Sequence, residues 1–192
     1  MICKYKNIFI ILITIVINSC GIYSFKGSLP PNVKTIYVSP VINSTSEYAL
    51  SNILNEEINE RLMKKNILKI SEFYDSDSKL DITINAVEDI PSSYLSNINS
   101  YEVVEQWKIN VQINIIWINN STNDTILEKK FTEWAMYDSS GLDISADGID
   151  NDADGLVDLE DSDEYGSSRE AALRIVADLI TDRIIEELIS TW

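Results

Sequence analysis

Hydrophobic residues recur along the chain with two different periods, and each change of period marks a new element. Val33 to Ile42 is rich in β-branched and aromatic residues and predicts a strand, broken near Pro40. Leu50, Ile53, Leu54, Ile58 and Leu62 then repeat at helical spacing as far as Lys65, with Asn52, Asn55, Glu56 and Asn59 on the opposite side. Ser44-Thr45-Ser46-Glu47 stands ahead of this helix as a capping box, Ser44 capping and Glu47 reaching back. Leu68 to Phe73 is a short strand candidate, and Leu80, Ile82, Ile84 and Ala86 alternate with Asp81, Thr83 and Asn85 in a half-buried strand running towards Pro91.

The clearest alternation lies in Val103 to Trp117. Trp107, Ile109, Val111, Ile113, Ile115 and Trp117 fall on one face, and Gln106, Lys108, Asn110, Gln112 and Asn114 on the other. Asn119 to Asp124 has turn chemistry, and Ile126 to Tyr137 returns as a strand with Leu127, Phe131, Ala135 and Tyr137 on one side, so the two predict a long antiparallel hairpin. A second capping box, Ser167-Ser168-Arg169-Glu170, opens a helix whose apolar face is Leu173, Val176, Ile180, Ile184 and Leu188. Strand, helix, strands, helix in that order predicts an α+β domain with both helices on one face of a mostly antiparallel sheet.

The N-terminus follows another pattern. Lys4 and Lys6 precede an apolar run from Ile8 to Ile17, too short to cross a bilayer, which needs roughly 20 residues. The run ends in Ile17-Asn18-Ser19-Cys20, which resembles the lipobox of bacterial lipoproteins, where the cysteine is acylated after cleavage in front of it. Residues 1–19 are then a signal peptide, Cys20 the lipidation site, 20–32 a tether punctuated by Gly27, Pro30 and Pro31, and 33–192 the folded domain. Gly21 stands where an Asp would resemble an inner-membrane retention signal, so the expected location is the periplasmic face of the outer membrane. Several acyl chains hold far more firmly than one.

Charge narrows the function. Among 192 residues there are 15 basic and 31 acidic side chains and no His. Such a surface repels nucleic-acid phosphates. The lack of His removes the usual near-neutral base and the commonest zinc ligand. The only cysteines, Cys3 and Cys20, lie in the N-terminal segment, which excludes a disulfide scaffold or thiol enzyme in the domain. Paired carboxylates could serve a hydrolase, but Ser139-Ser140-Gly141 lacks the context of a nucleophile elbow, and no enzymatic activity is expected. Trp107, Trp117 and Trp134 sit in strands as core or interface residues, and the acceptor-like triplets at Asn43, Asn119 and Asn120 read as turn and cap residues.

The acidity is concentrated in one place. Asp143 to Glu164 holds ten acidic residues and no basic one, inside an insertion at about 141–166. Asp150, Asp152, Asp154, Gly155, Asp158 and Asp161 fall at loop positions 1, 3, 5, 6, 9 and 12, the EF-hand pattern with Asp161 in place of the usual Glu. Calcium takes six to eight hard oxygens. The expected ligands are Asp150, Asp152, Asp154, the Leu156 carbonyl, Asp158 and Asp161, with Asp147 and Asp163 to complete this site or a second one. Gly155 permits the tight turn. No helical pattern precedes Asp150, and 147–155 looks more like the aspartate-rich loops of thrombospondin type 3 repeats, so a structural Ca²⁺ is expected rather than a sensor.

Cys20-Gly21-Ile22-Tyr23-Ser24-Phe25, then Pro30-Pro31-Asn32-Val33-Lys34-Thr35-Ile36-Tyr37-Val38 followed by Asn43-Ser44-Thr45, resemble the start of the LptE family of lipopolysaccharide-assembly lipoproteins in its Bacteroidota-like form. Phe131 to Ser140, with Trp134-Ala135-Met136-Tyr137-Asp138-Ser139, resembles that family's last strand, and the closing Ile189-Ser190-Thr191-Trp192 also fits. The likeness covers about 20–140 and 167–192. It implies a two-layer sandwich of a four-stranded sheet and two helices. It also implies a non-enzymatic role as plug and assembly partner of the LptD-type β-barrel, delivering lipopolysaccharide to the outer leaflet. Family members bind lipopolysaccharide through basic and loop residues, and the acidity of this chain transfers none of those residues to it. The alternative is another small outer-membrane lipoprotein, a transporter auxiliary or secretion accessory subunit, with a structural calcium site.

Overall fold

A computed structural model describes residues 32–96, 102–139, 155 and 166–190. The expected signal peptide at 1–19, the expected lipidation site Cys20 and the expected tether up to Pro31 lie outside the described residues, as does the C-terminal Trp192. So do Asp147, Asp150, Asp152, Asp154, Leu156, Asp158, Asp161 and Asp163.

The elements in chain order are β1 (Thr35–Val38), β2 (Ile42–Asn43), α1 (Tyr48–Lys65), β3 (Lys69–Ile70), a 3₁₀ turn (Phe73–Asp75), β4 (Ser78–Ser96), β5 (Glu102–Asn119), β6 (Thr125–Asp138) and α2 (Ser168–Ser190). They form one six-stranded sheet in the order β3-β1-β4-β5-β6, with β2 also pairing with β4. The long pairings β4–β5 and β5–β6 are antiparallel, and the short ones β1–β3, β1–β4 and β2–β4 are parallel. The architecture is thus α+β with a mostly antiparallel sheet. It has six strands where the resemblance implies four, because the expected Val33–Ile42 strand divides in two and Leu68–Phe73 contributes only Lys69–Ile70.

The division falls at Pro40. The Ser39 N–H bonds to the Leu80 carbonyl, but the Val41 N–H turns away to Asn55 Oδ1 on α1 at 3.0 Å. Proline has no N–H to continue a ladder, so the sheet resumes only at Ile42. At the end of α1, Asn66 adopts φ 46° and its N–H closes on the Leu62 carbonyl at 3.0 Å. Asn tolerates this left-handed cap better than most residues.

Both helices cover the same sheet face. Leu50, Leu54, Ile58 and Leu62 of α1 and Leu173, Val176, Ile180, Ile184 and Leu188 of α2 are buried with Leu80, Ile82, Ile84, Ile109, Val111, Ile113, Ile115 and Trp117 in one core. Side-chain contacts advance together along the two helices: Glu47 with Arg169, Glu57 with Thr181, Arg61 with Asp178 and Asp182. The helices therefore run parallel, side by side.

Two local expectations fail, each for a physical reason. Ala86 was expected on the core face with Leu80, Ile82 and Ile84. A bulge between Ile84 and Ala86 inserts Asn85, so Ala86 pairs with outward Gln112 and Val87 takes the inward place opposite Val111. The Ser44–Glu47 capping box does not form. Asn43 organises that turn instead, its Oδ1 accepting from the Thr45 N–H and hydroxyl and its Nδ2 donating to the Glu47 carbonyl, each at 2.8 Å. Glu47 is the N-cap residue without a side-chain cap bond, its carboxylate engaged by Arg169.

Candidate functional site

Two regions of the described surface stand out: the stem of the acidic insertion and the uncovered face of the sheet. The stem is built from the end of β6 and the start of α2. The Ser168 hydroxyl donates to the Asp138 carbonyl at 3.2 Å, and the Ser139 hydroxyl and N–H bond to the Val104 and Glu105 carbonyls of β5 at 2.6 and 2.9 Å. The second capping box forms at this point in its reach-back half, with Glu170 Oε2 accepting the Ser167 N–H at 3.0 Å. Gly166 sits beside it at φ 83°, where an added Cβ would lie 2.6 Å from Glu170 Oε2.

Next to the stem four side chains converge. Arg169 donates from Nε and Nη2 to Asp89 Oδ2 at 3.2 and 2.9 Å, and from Nη1 to Glu47 Oε2 at 3.1 Å. The Tyr137 hydroxyl donates to Asp89 Oδ1 at 2.9 Å. One guanidinium thus ties α2 to the N-terminus of α1 and to the core-facing side of β4, with β6 joined through the phenol. Partial burial, then the bond to Asp89 and its negative charge, push the Tyr137 hydroxyl up to about 12. It remains a donor at any physiological pH. Arg169 is raised as well: burial opposes its charge, and the bonds to Asp89 and Glu47 more than offset that. With both carboxylates bonded to one guanidinium and the phenol bonded to Asp89, the cluster clasps β4, β6 and both helices together. Sequence reading missed it because its members are spread over residues 47 to 169. The only local signal was the Ser44–Glu47 capping-box spacing, which pointed elsewhere.

The outer face of the sheet carries no helix among the described residues. Its cross-strand rows are Ile90–Lys108–Met136, Glu88–Asn110–Trp134, Ala86–Gln112–Thr132 and Thr83–Asn114–Lys130. Because Ala86 is small, a shallow depression opens there between Glu88, Asn110, Gln112 and Thr132. Towards the stem the face turns apolar: Ile90, Trp134 and Met136 are 43%, 46% and 45% exposed. The Lys108 ammonium lies 4.0 Å from the centre of the Trp134 ring. The three strand tryptophans therefore divide, with Trp117 fully buried, Trp107 half-buried and Trp134 exposed.

The far end of the sheet is where the described chain begins. Asp77 Oδ2 accepts the Lys34 and Thr35 N–H groups, both at 2.9 Å, and Asn120 Nδ2 reaches the Ser76 carbonyl at 3.0 Å. The bonds from Lys34 and Thr35 hold the Asp77 carboxyl below the usual range. From Ser78 to Asp89 is eleven steps of strand, roughly 36 Å at about 3.3 Å per residue. The start of the described chain and the stem are thus separated by most of that length along β4.

Of the expected metal loop, Gly155 alone is described, with φ 99°, a backbone conformation natural to glycine. Among the described residues no group of three acidic, Cys or His side chains is placed to hold an ion, and no helix is long and apolar enough to cross a membrane.

No family model matches the chain, and no curated protein matches it. Solved structures do. Protein XCC0632 from Xanthomonas campestris superposes with a TM-score of 0.50 at 10% identity over 84% of this chain and 89% of that one. The rare lipoprotein B from Shewanella oneidensis gives 0.48 at 18% identity over 81% and 95%, and a minor lipoprotein from Acinetobacter baumannii 0.43 at 11% over 82% and 94%. The structural neighbours thus include small bacterial lipoproteins, one of them a rare lipoprotein B. At these identities the likeness is one of fold.

Proposed function

We propose that the chain is a lipid-anchored outer-membrane protein of the LptE kind, held by acylated Cys20 at the periplasmic face. Its role is to plug and assist an LptD-type β-barrel that passes lipopolysaccharide to the outer leaflet. The observation that carries this reading is the order and packing of elements. A broken N-terminal strand, a helix, a long β-hairpin and a closing helix make a two-layer sandwich of the kind that the Cys20–Thr45 and Phe131–Ser140 resemblances imply, with six strands in place of four. The task is binding, and the uncovered face, with its graded change from amides to Trp134, Met136 and Ile90, suits a protein surface better than a reacting substrate.

The insertion holds a structural Ca²⁺ in this reading, with Asp150, Asp152, Asp154, Leu156, Asp158 and Asp161 as ligands and Asp147 and Asp163 in reserve. Gly155 with positive φ at the sixth loop position supports it.

Tagging the chain with its lipid anchor intact and isolating it from membranes in detergent tests both parts. An LptD-type barrel is expected to co-purify in near-equal amount; its absence would leave the accessory-subunit alternative standing. On the same preparation, calcium is expected to protect 143–164 from protease, and Asp152→Ala with Asp154→Ala to abolish the protection. Unchanged protection in that double variant would sink the metal site.

A further inference from the structure

Three amides follow one another on the open face of β5. Asn110, Gln112 and Asn114 point away from both helices, because Ile109, Val111, Ile113 and Ile115 beside them are fully buried in the core. The outward positions of this strand from Gln106 to Ile118 hold no carboxylate, in a chain with 31 acidic residues. A face that serves only solubility normally carries charges of both signs.

Asn110 and Gln112 line the depression over Ala86 together with Glu88 and Thr132. None of these four polar side chains has a hydrogen-bond partner among the described residues. Two amides, a hydroxyl and a carboxylate thus present free donors and acceptors in one shallow basin. Trp134 stands at its rim, directly across from Asn110 and 46% exposed. Strand geometry sets it about 7 Å from Thr132. Glu88 and Lys108 balance in charge, so the patch is neutral.

We infer that this patch binds a neutral saccharide chain, one pyranose ring lying on the Trp134 indole and the next placing its hydroxyls in the Ala86 basin. A pyranose has a face of C–H groups and a rim of hydroxyls. The negative face of an indole attracts the first. Amides, which carry donor and acceptor together as hydroxyls do, match the second.

Other ligand classes fit less well. An anion needs free cations, and the one ammonium here, on Lys108, is drawn over the indole at 4.0 Å. An apolar chain would strip water from four polar side chains and give them no partner. A protein surface would seek Ile90 and Met136, which lie beyond the basin. No phosphate or acyl group takes part, so the site does not rest on the barrel reading, and it leaves that apolar end open to a protein partner.

Titration calorimetry of the full chain with cellohexaose and with chitohexaose tests the site, in a detergent whose headgroup is not a sugar. Both probes are flat chains, suited to a flat sheet face. At least one is expected to bind with a dissociation constant on the order of 1 mM or tighter, as suits a shallow site. Trp134→Ala should weaken binding about tenfold or more, and Trp134→Tyr, which keeps a ring, about threefold. Asn110→Ala with Gln112→Ala should cost about tenfold. Met136→Ala should bind like the wild type. Raising salt to about 0.5 M should leave the affinity unchanged, because no ion pair forms. Circular dichroism checks the fold of each variant. A wild type that binds neither probe at about 10 mM would reduce the amides to a solvated surface and overturn the proposal. So would a Trp134→Ala protein that binds as well as the wild type, or binding that falls steeply with salt.

Discussion

The two faces of β5 are made from alternate residues of the same eighteen-residue strand, yet they obey different rules. On one face Ile109, Val111, Ile113, Ile115 and Trp117 are fully buried under both helices. On the other, Lys108, Asn110, Gln112 and Asn114 lie in an open sheet surface with Trp134 beside them. The first face decides stability, because only buried apolar area strongly resists substitution, and stability leaves the second free to vary.

The sharpest way to break that comparison is a pair of neighbouring alanines. Ile113→Ala removes a fully buried side chain and should cost about 2–5 kcal/mol, while Asn114→Ala should stay within about 0.5 kcal/mol. Urea unfolding of both variants measures the contrast; equal losses would mean that the outer face is covered in the folded chain. A middle-sized effect is expected at the clasp. Arg169→Met keeps the apolar stem but leaves Glu47 and Asp89 without their shared cation, and should cost about 1–2 kcal/mol. That loss should shrink in high salt, which screens these partly exposed ion pairs; a loss unchanged at about 1 M salt would assign it to packing.

The smallest effect lies at the opposite end of the sheet. Asp77 titrates below its unfolded value, so its contribution is present above the unfolded pKa, near 4, and disappears as pH falls through the lower folded value. Asp77→Asn should therefore flatten the acid limb of stability below about pH 4. An identical acid limb in the variant would place the acid sensitivity elsewhere.

Much of this was legible in the residues themselves. The alternation from Val103 to Trp117 and the helical spacing of Leu50 to Leu62 and Leu173 to Leu188 survive in the fold because each element faces one core. Two kinds of feature were not legible. Asn85 carries no local mark of a bulge; the mismatch arises only when β4 is laid against β5. Glu47 has the right spacing for a cap, but Arg169, 122 positions away in the chain, binds it instead. Pro91 looked like a strand end, and β4 continues through it because the side opposite β5 has no ladder there to interrupt. The parallel pairings of β1, β2 and β3 leave no periodic trace at all in segments of two to four residues.

The stem between Asp138 and Ser168 has a consequence for how this chain can vary. Its two ends are fastened to each other and to β5 before the intervening residues begin, so the fold already supplies the closure of that loop. The entropic penalty of a longer loop grows only with the logarithm of its length, about 0.6 kcal/mol for each doubling. The position between Ser139 and Gly166 is therefore a grafting slot, into which segments of very different length and chemistry can be spliced while the sandwich keeps its shape.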